Sequence, residues 1–124
     1  MYNILICDDE PDIVSALKIY LASDGYGIYE AYNGREAIEM MQKTEIHLVL
    51  MDIMMPVMDG LEATRQIRTL NRMDTKEIPI IAMTANAFQD DVRDCIDAGM
   101  NGHIAKPIQV DKLLSTLAEI MMKH

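Results

Sequence analysis

Two short segments, HLVLM over His47–Met51 and IPIIAM over Ile78–Met83, are apolar at consecutive positions, and this constrains the fold more than any other feature of the chain. Successive side chains of a strand point to opposite faces, so an unbroken apolar run needs cover on both sides. Such strands belong in the middle of a parallel sheet sandwiched between helices. Three further β-rich runs fit the same sheet: Tyr2–Cys7, Gly27–Ala31 and Gly102–Ala105. Stretches of helical period separate them. Pro11–Ser23 places Ile13, Val14, Leu17 and Leu21 on one stripe, with Pro11 in the first turn, where its missing N–H costs nothing. Asn33-Gly34 opens a second helix through Lys43, Asp59-Gly60 a third through about Asn71, and Asn86–Ala98 forms a fourth that stops at Gly99. The fifth covers Val110–Met122, with Val110, Leu113, Leu114, Leu117 and Met121 on one face. The expected fold is α/β, a doubly wound (βα)5 unit with helices on both faces of a parallel sheet, and residues 1–124 read as a single domain.

Charge narrows the function. Twenty acidic against eleven basic side chains give a net charge of −9, which repels phosphate backbones and anionic lipid, so direct nucleic-acid binding is not expected. The longest apolar run, Leu48–Met58, contains Asp52 and Pro56 and is too short to span a bilayer. No membrane insertion and a cytoplasmic location are therefore expected. Cys7 and Cys95 lie within apolar periodic segments and read as reduced packing residues, and His47, His103 and His124 lack the spacing of a zinc site. Asp90, Asp91 and Asp94 read as acids on the exposed, early part of the fourth helix. Met51 and Met55 read as core, whereas Met54 should border the site described next.

In a parallel sheet with right-handed crossovers, the residues at the carboxyl ends of the strands gather along one edge, where open α/β sheets bind ligands. Strand one ends in Asp8-Asp9, strand three in Asp52, strand four in Thr84 and strand five in Lys106-Pro107. Any one of these could be a solvated loop residue; together they form a site. Two carboxylates ~4 Å apart repel by about 4 kcal/mol at an effective dielectric near 20, so three of them beside one ammonium call for a cation. Oxygen donors without histidine suit Mg2+. A metal, a lysine and a hydroxyl around a central carboxylate suit a phosphoryl group, with the carboxylate as nucleophile and an acyl phosphate as product. Asp52, leaving a central strand, is the natural nucleophile.

The segments ILICDDEP, MDIMMPVMDGLEATRQIR, IPIIAMTANA and AGMNGHIAKPI occur in order at the expected strand ends, and in them the whole chain resembles the receiver domains of two-component response regulators. The resemblance implies a flavodoxin-like sheet of order 2-1-3-4-5. It implies that Asp52 is the phosphoacceptor, and that Asp9, Asp52 and the backbone carbonyl of Met54 bind Mg2+, with Asp8 contributing directly or through water. Lys106 would pair with the phosphoryl group and Thr84 would be the switch hydroxyl. His103 would take the rotating switch position, where Tyr or Phe is more usual, and Lys106-Pro107 is a bond often cis in the family. Met54 and Asn86 would flank the path of hydrolytic water.

The implied partners are a histidine kinase or histidine phosphotransfer domain as donor and a downstream protein target, reached through the fourth helix, fifth strand and fifth helix. The TANA and CIDAGMNGHIAKPI segments are most similar to receivers of hybrid histidine kinases and phosphorelays. The expected molecule is a phosphorylation-controlled switch rather than a turnover enzyme, a monomer or weak dimer, either a stand-alone regulator or the receiver piece of a larger protein. The competing reading is a magnesium-dependent phosphohydrolase with an aspartate nucleophile. Such enzymes usually carry a second acid two residues after the nucleophile, where this chain has Met54.

Overall fold

The computed structural model describes residues 2–70, 74–85 and 89–123. Five strands, β1 (Asn3–Cys7), β2 (Gly27–Ala31), β3 (Leu48–Asp52), β4 (Ile80–Thr84) and β5 (Gly102–Ala105), form one sheet in the order β2-β1-β3-β4-β5, every neighbouring pair parallel. The helices between and after them are α1 (Pro11–Ala22), α2 (Gly34–Lys43), α3 (Gly60–Thr69), α4 (Asp74–Glu77), α5 (Gln89–Ala98) and α6 (Val110–Lys123). The expected architecture and strand order are both present.

The two consecutive apolar runs form central strands, as their lack of alternation requires. Every residue of β3 and of β4 is buried. Their odd and even positions feed two separate cores. Leu48, Leu50, Ile81 and Met83 join Ile4 and Ile6 against Val14, Leu17 and Leu21 of α1 and Leu113, Leu117 and Ile120 of α6. Val49, Met51, Ile80 and Ala82 join Leu5 and Cys7 against Ala37 and Met41 of α2, Ala63 and Ile67 of α3, and Cys95 of α5. Both cysteines are buried, the packing role their positions suggested. Among the described residues no helix is long and apolar enough to cross a membrane.

Some boundaries move. Residues 78 and 79 fall outside β4: Pro79 has no N–H for the ladder, although its carbonyl still accepts from Val49 N at 2.9 Å. The strand is displaced toward its carboxyl end, so Thr84 lies within it. The third helix ends at Thr69; Asn71, its expected end, and Asn86, the expected start of the fourth, lie outside the described residues. The single turn α4 was not anticipated. It is held by Arg68 at the end of α3, whose guanidinium donates to Thr75 O at 3.2 Å, Ile78 O at 2.7 Å, Gly99 O at 2.7 and 3.0 Å, and Asn101 Oδ1 at 2.7 Å. One side chain thus ties α3 to α4, to the entry of β4 and to the α5–β5 turn.

His47, expected to be structural, is so. Its Nδ1 accepts from Asn3 N at 2.9 Å and its ring stacks on Tyr2 with centroids 5.2 Å apart. This lies at the amino edge of the sheet, opposite the strand ends that carry the acids.

Candidate functional site

Parallel pairing carries the carboxyl ends of β1, β3, β4 and β5 to one edge. Asp8 follows β1 directly and is fully buried, and Asp52 closes β3 at 5% exposure. Lys106 enters from the residue after β5, placed by a bond from its own N–H to Thr84 O at 2.7 Å. Its ammonium lies 2.9 Å from Asp8 Oδ2, 3.2 Å from Asp52 Oδ1 and 3.7 Å from Glu10 Oε1. The Lys106–Pro107 bond is cis.

One ammonium does not neutralise this set. Burial pushes the Asp52 carboxyl up to about 6 from its ordinary 3.8, the Asp8 charge adds to the rise, and the attraction of Lys106 only partly offsets both. Burial alone would lower Lys106, but its hydrogen bond to Asp8 and the charges of Asp52 and Asp8 outweigh that and hold it above the ordinary lysine value. Lys106 is therefore a permanent cation. Thr84 Oγ1 is buried without a hydrogen-bond partner among the described residues, and Lys106 is the one partner of the buried Asp8 Oδ2 among them. The donors at this edge are all oxygens, and carboxylates of Asp8, Asp9 and Glu10 come within 4.8 Å of one another. An under-neutralised, oxygen-only cluster whose buried carboxylates share one ammonium fits a hard divalent cation.

The loop from Asp52 to α3 is held close by two glycines. Gly60 donates to Ile53 O at 2.8 Å, and a Cβ there would overlap the backbone carbonyl oxygen of Asp52. Gly34 donates to Met58 O at 2.9 Å, and a Cβ there would meet that same oxygen at 2.7 Å. Each glycine follows a helix cap: Asn33 Oδ1 accepts from Glu36 N at 2.9 Å and Asp59 Oδ1 from Glu62 N at 2.8 Å. The Asn-Gly and Asp-Gly pairs therefore start helices, as read, and also let the loop after β3 pack against them. Within the loop Met58 N donates to Pro56 O at 2.6 Å around Val57, whose φ is +67°. This is a γ-turn in its strained, positive-φ form at a β-branched residue.

The structure joins Asp8, Asp52 and Lys106 directly and brings Asp9, exposed, beside Asp8. Thr84 is 2% exposed, paired in register with Ala105, the residue before Lys106. Met54 follows Asp52 by two residues with its side chain 77% exposed, so its thioether faces solvent. Met51 is buried, and Met55 is half-buried with its Sδ 3.5 Å from Cys7 Sγ. His103 is exposed on β5 opposite Ala82 and lines a cavity of about 570 Å3 with Lys106, Pro107 and residues of α6. Asp94 is exposed, and the side chains of Asp90 and Asp91 lie outside the described set. The sequence reading did not single out Glu10; its signal was present, as the third acid of the run DDE before Pro11.

Residues 4–118 match the family model described as Response regulator receiver domain. Sensor histidine kinase RcsC of Salmonella typhi is 36% identical over 115 residues, covering 93% of this chain but only 12% of that protein. Among solved structures, the receiver domain of sensor histidine kinase PA1611 from Pseudomonas aeruginosa, with a magnesium ion coordinated in its active site cleft, superposes with a TM-score of 0.86 at 36% identity over 95% of each chain. Chemotaxis protein CheY4 of Vibrio cholerae superposes with a TM-score of 0.90 at 29% identity, covering 96% of this chain and 98% of that one.

Proposed function

The chain belongs to the response-regulator receiver family, and from that premise we propose that Asp52 is its phosphoacceptor, taking a phosphoryl group from a phosphohistidine on a histidine kinase or histidine phosphotransfer domain. The observation that carries the assignment is the Lys106 ammonium, shared by Asp8 at 2.9 Å and Asp52 at 3.2 Å at the strand-end edge. In the transfer, Asp52 Oδ attacks phosphorus, the P–N bond of the donor breaks, and its electron pair leaves with the imidazole. Lys106 stands where it can neutralise a phosphoryl oxygen. Thr84 supplies a buried hydroxyl without a partner among the described residues, a donor in search of an acceptor. Asp8, Asp9, Asp52 and the Met54 carbonyl would hold Mg2+, which when bound supplies positive charge to the phosphoryl oxygens. The magnesium of the PA1611 receiver supports that choice of metal.

We place the response on the α5–β5–α6 face, since Thr84 and Lys106 join the site to β4 and β5. His103 on that face is the switch position. Attack of water on the phosphoaspartate would return the chain to its resting state, catalysed by the chain's own site. The output is a contact with a downstream protein by a monomer or weak dimer in the cytoplasm. The phosphohydrolase reading is disfavoured by Met54, which offers no proton to a leaving group.

The test is intact-mass spectrometry after incubation with Mg2+ and acetyl phosphate. One added phosphoryl group is expected on the wild type and none on Asp52→Asn. Undiminished labelling of the variant would refute the assignment.

A further inference from the structure

Glu10 stands at the mouth of the site, its carboxylate within 4.8 Å of those of Asp8 and Asp9 but outside the set proposed to hold the metal. It is the N-cap residue of α1, a position where a short polar side chain usually satisfies the helix's first N–H groups, yet it makes no side-chain cap. Its backbone is nonetheless fixed. Glu10 N donates to Asp8 Oδ1 at 2.9 Å, and its carbonyl accepts from Ile13 N at 3.1 Å and Val14 N at 3.2 Å. So anchored, the side chain reaches back across the site until Oε1 is 3.7 Å from Lys106 Nζ, while remaining 62% exposed. It is the exposed member of the three carboxylates around that ammonium.

We propose that Glu10 is a specificity-determining residue that selects the phosphodonor by charge. Asp8, Asp9, Glu10 and Asp52 against Lys106 leave the site three negative charges in excess, which one divalent cation reduces to a single one. Glu10 supplies that residual charge at the entrance and competes for the ammonium that a donor's phosphoryl oxygens need. Its field penalises a donor in proportion to the donor's own negative charge. Acetyl phosphate arrives as a dianion and loses acetate when its P–O bond breaks. Phosphoramidate, whose P–N bond breaks with loss of ammonia, arrives near neutral pH with about half that charge. One carboxylate acting through water at ~6 Å lowers the local concentration of a dianion about tenfold and of a monoanion about threefold at low salt. The inference rests on Asp52 as the acceptor. In that setting Glu10 biases the site against small dianionic acyl phosphates relative to donors of lower charge.

The test compares phosphorylation rates of wild type, Glu10→Gln and Glu10→Asp with acetyl phosphate and with phosphoramidate. Mg2+ is held saturating for each protein, as fixed by calorimetric titration. Glu10→Gln should gain about tenfold with acetyl phosphate and about threefold with phosphoramidate, through the donor concentration at half-maximal rate rather than the limiting rate. The difference should fade as salt rises toward about 1 M, and Glu10→Asp should keep the wild-type donor ratio. Equal factors for the two donors, or a ratio indifferent to salt, would overturn the role of Glu10 while labelling at Asp52 remained intact. A wild type labelled by neither donor, or labelling that survives Asp52→Asn, would overturn the acceptor assignment and this inference with it.

Discussion

Replacing Asp52 with asparagine should stabilise the protein when no divalent cation is present. The substitution keeps shape and removes one of two buried carboxylates that share a single ammonium, leaving Lys106 and Asp8 as a pair 2.9 Å apart. Raising the Asp52 carboxyl from 3.8 to about 6 corresponds to about 3 kcal/mol against ionisation in the folded state. Side-chain relaxation reduces this, so a gain of about 1 to 3 kcal/mol at neutral pH is expected. The pH dependence identifies the cause. Below about pH 4 Asp52 is protonated whether the chain is folded or unfolded, and it contributes no difference between the two proteins. Between about 4 and 6 the unfolded carboxyl ionises while the folded one keeps its proton, so wild-type stability falls relative to the variant as pH rises, and above about 6 the whole difference is present. The assay is urea unfolding followed by far-ultraviolet circular dichroism, with chelator and at fixed ionic strength, across this range. A wild type as stable as the variant at neutral pH, or a difference that does not change through the window, would refute the origin assigned to the raised pKa.

Mg2+ at ten times its dissociation constant should add about 1.4 kcal/mol to wild-type stability, and Asp9→Asn should remove most of that gain; a wild-type unfolding midpoint indifferent to the metal would count against the cation site. Val57→Gly should raise stability by about 0.5 to 1 kcal/mol, because relief of about 1–2 kcal/mol of left-handed strain exceeds glycine's added entropy cost, and the exposed valine gives up little packing. A loss of stability on urea titration would mean that the γ-turn is not strained. Arg68→Lys should cost about 2 kcal/mol or more, since an ammonium cannot reproduce a planar fork of five bonds to four oxygens. Unfolding curves that superimpose on those of the wild type would show that the clamp is dispensable.

The layered fold was legible because HLVLM and IPIIAM leave a strand no solvent face, and because Asn33-Gly34, Asp59-Gly60 and Gly99 punctuate the helices. The strand-end acids and Lys106 followed from parallel topology alone. What escaped was the destination of individual side chains. Asp8 and Asp9 are identical in type and adjacent, yet as the chain leaves β1 the first is buried and the second exposed. Glu10 was passed over because the third acid of a DDE run before Pro11 also reads as an ordinary helix-start acid; its reach to Lys106 depends on where β5 delivers the lysine. Val57 adopts a left-handed conformation that its β-branch disfavours, in a loop whose flanks are bonded to Gly34 and Gly60, the first of them remote in sequence. The four-residue α4 is tied to α3 by the bond from Arg68 to Thr75 O, a tertiary tether that no local pattern encodes.

The site draws Asp8, Asp52, Thr84 and Lys106 from four strand ends, and every one of those strands pairs in parallel through a crossover. Parallel pairing demands long loop closures, and these come late on the way to the folded state. The acids themselves repel, so they cannot nucleate what they depend on. Their convergence belongs to the end of the folding reaction, after the transition state. A cation bound there should accordingly slow unfolding while leaving the refolding rate almost unchanged, lengthening the life of each folded molecule without hastening its formation.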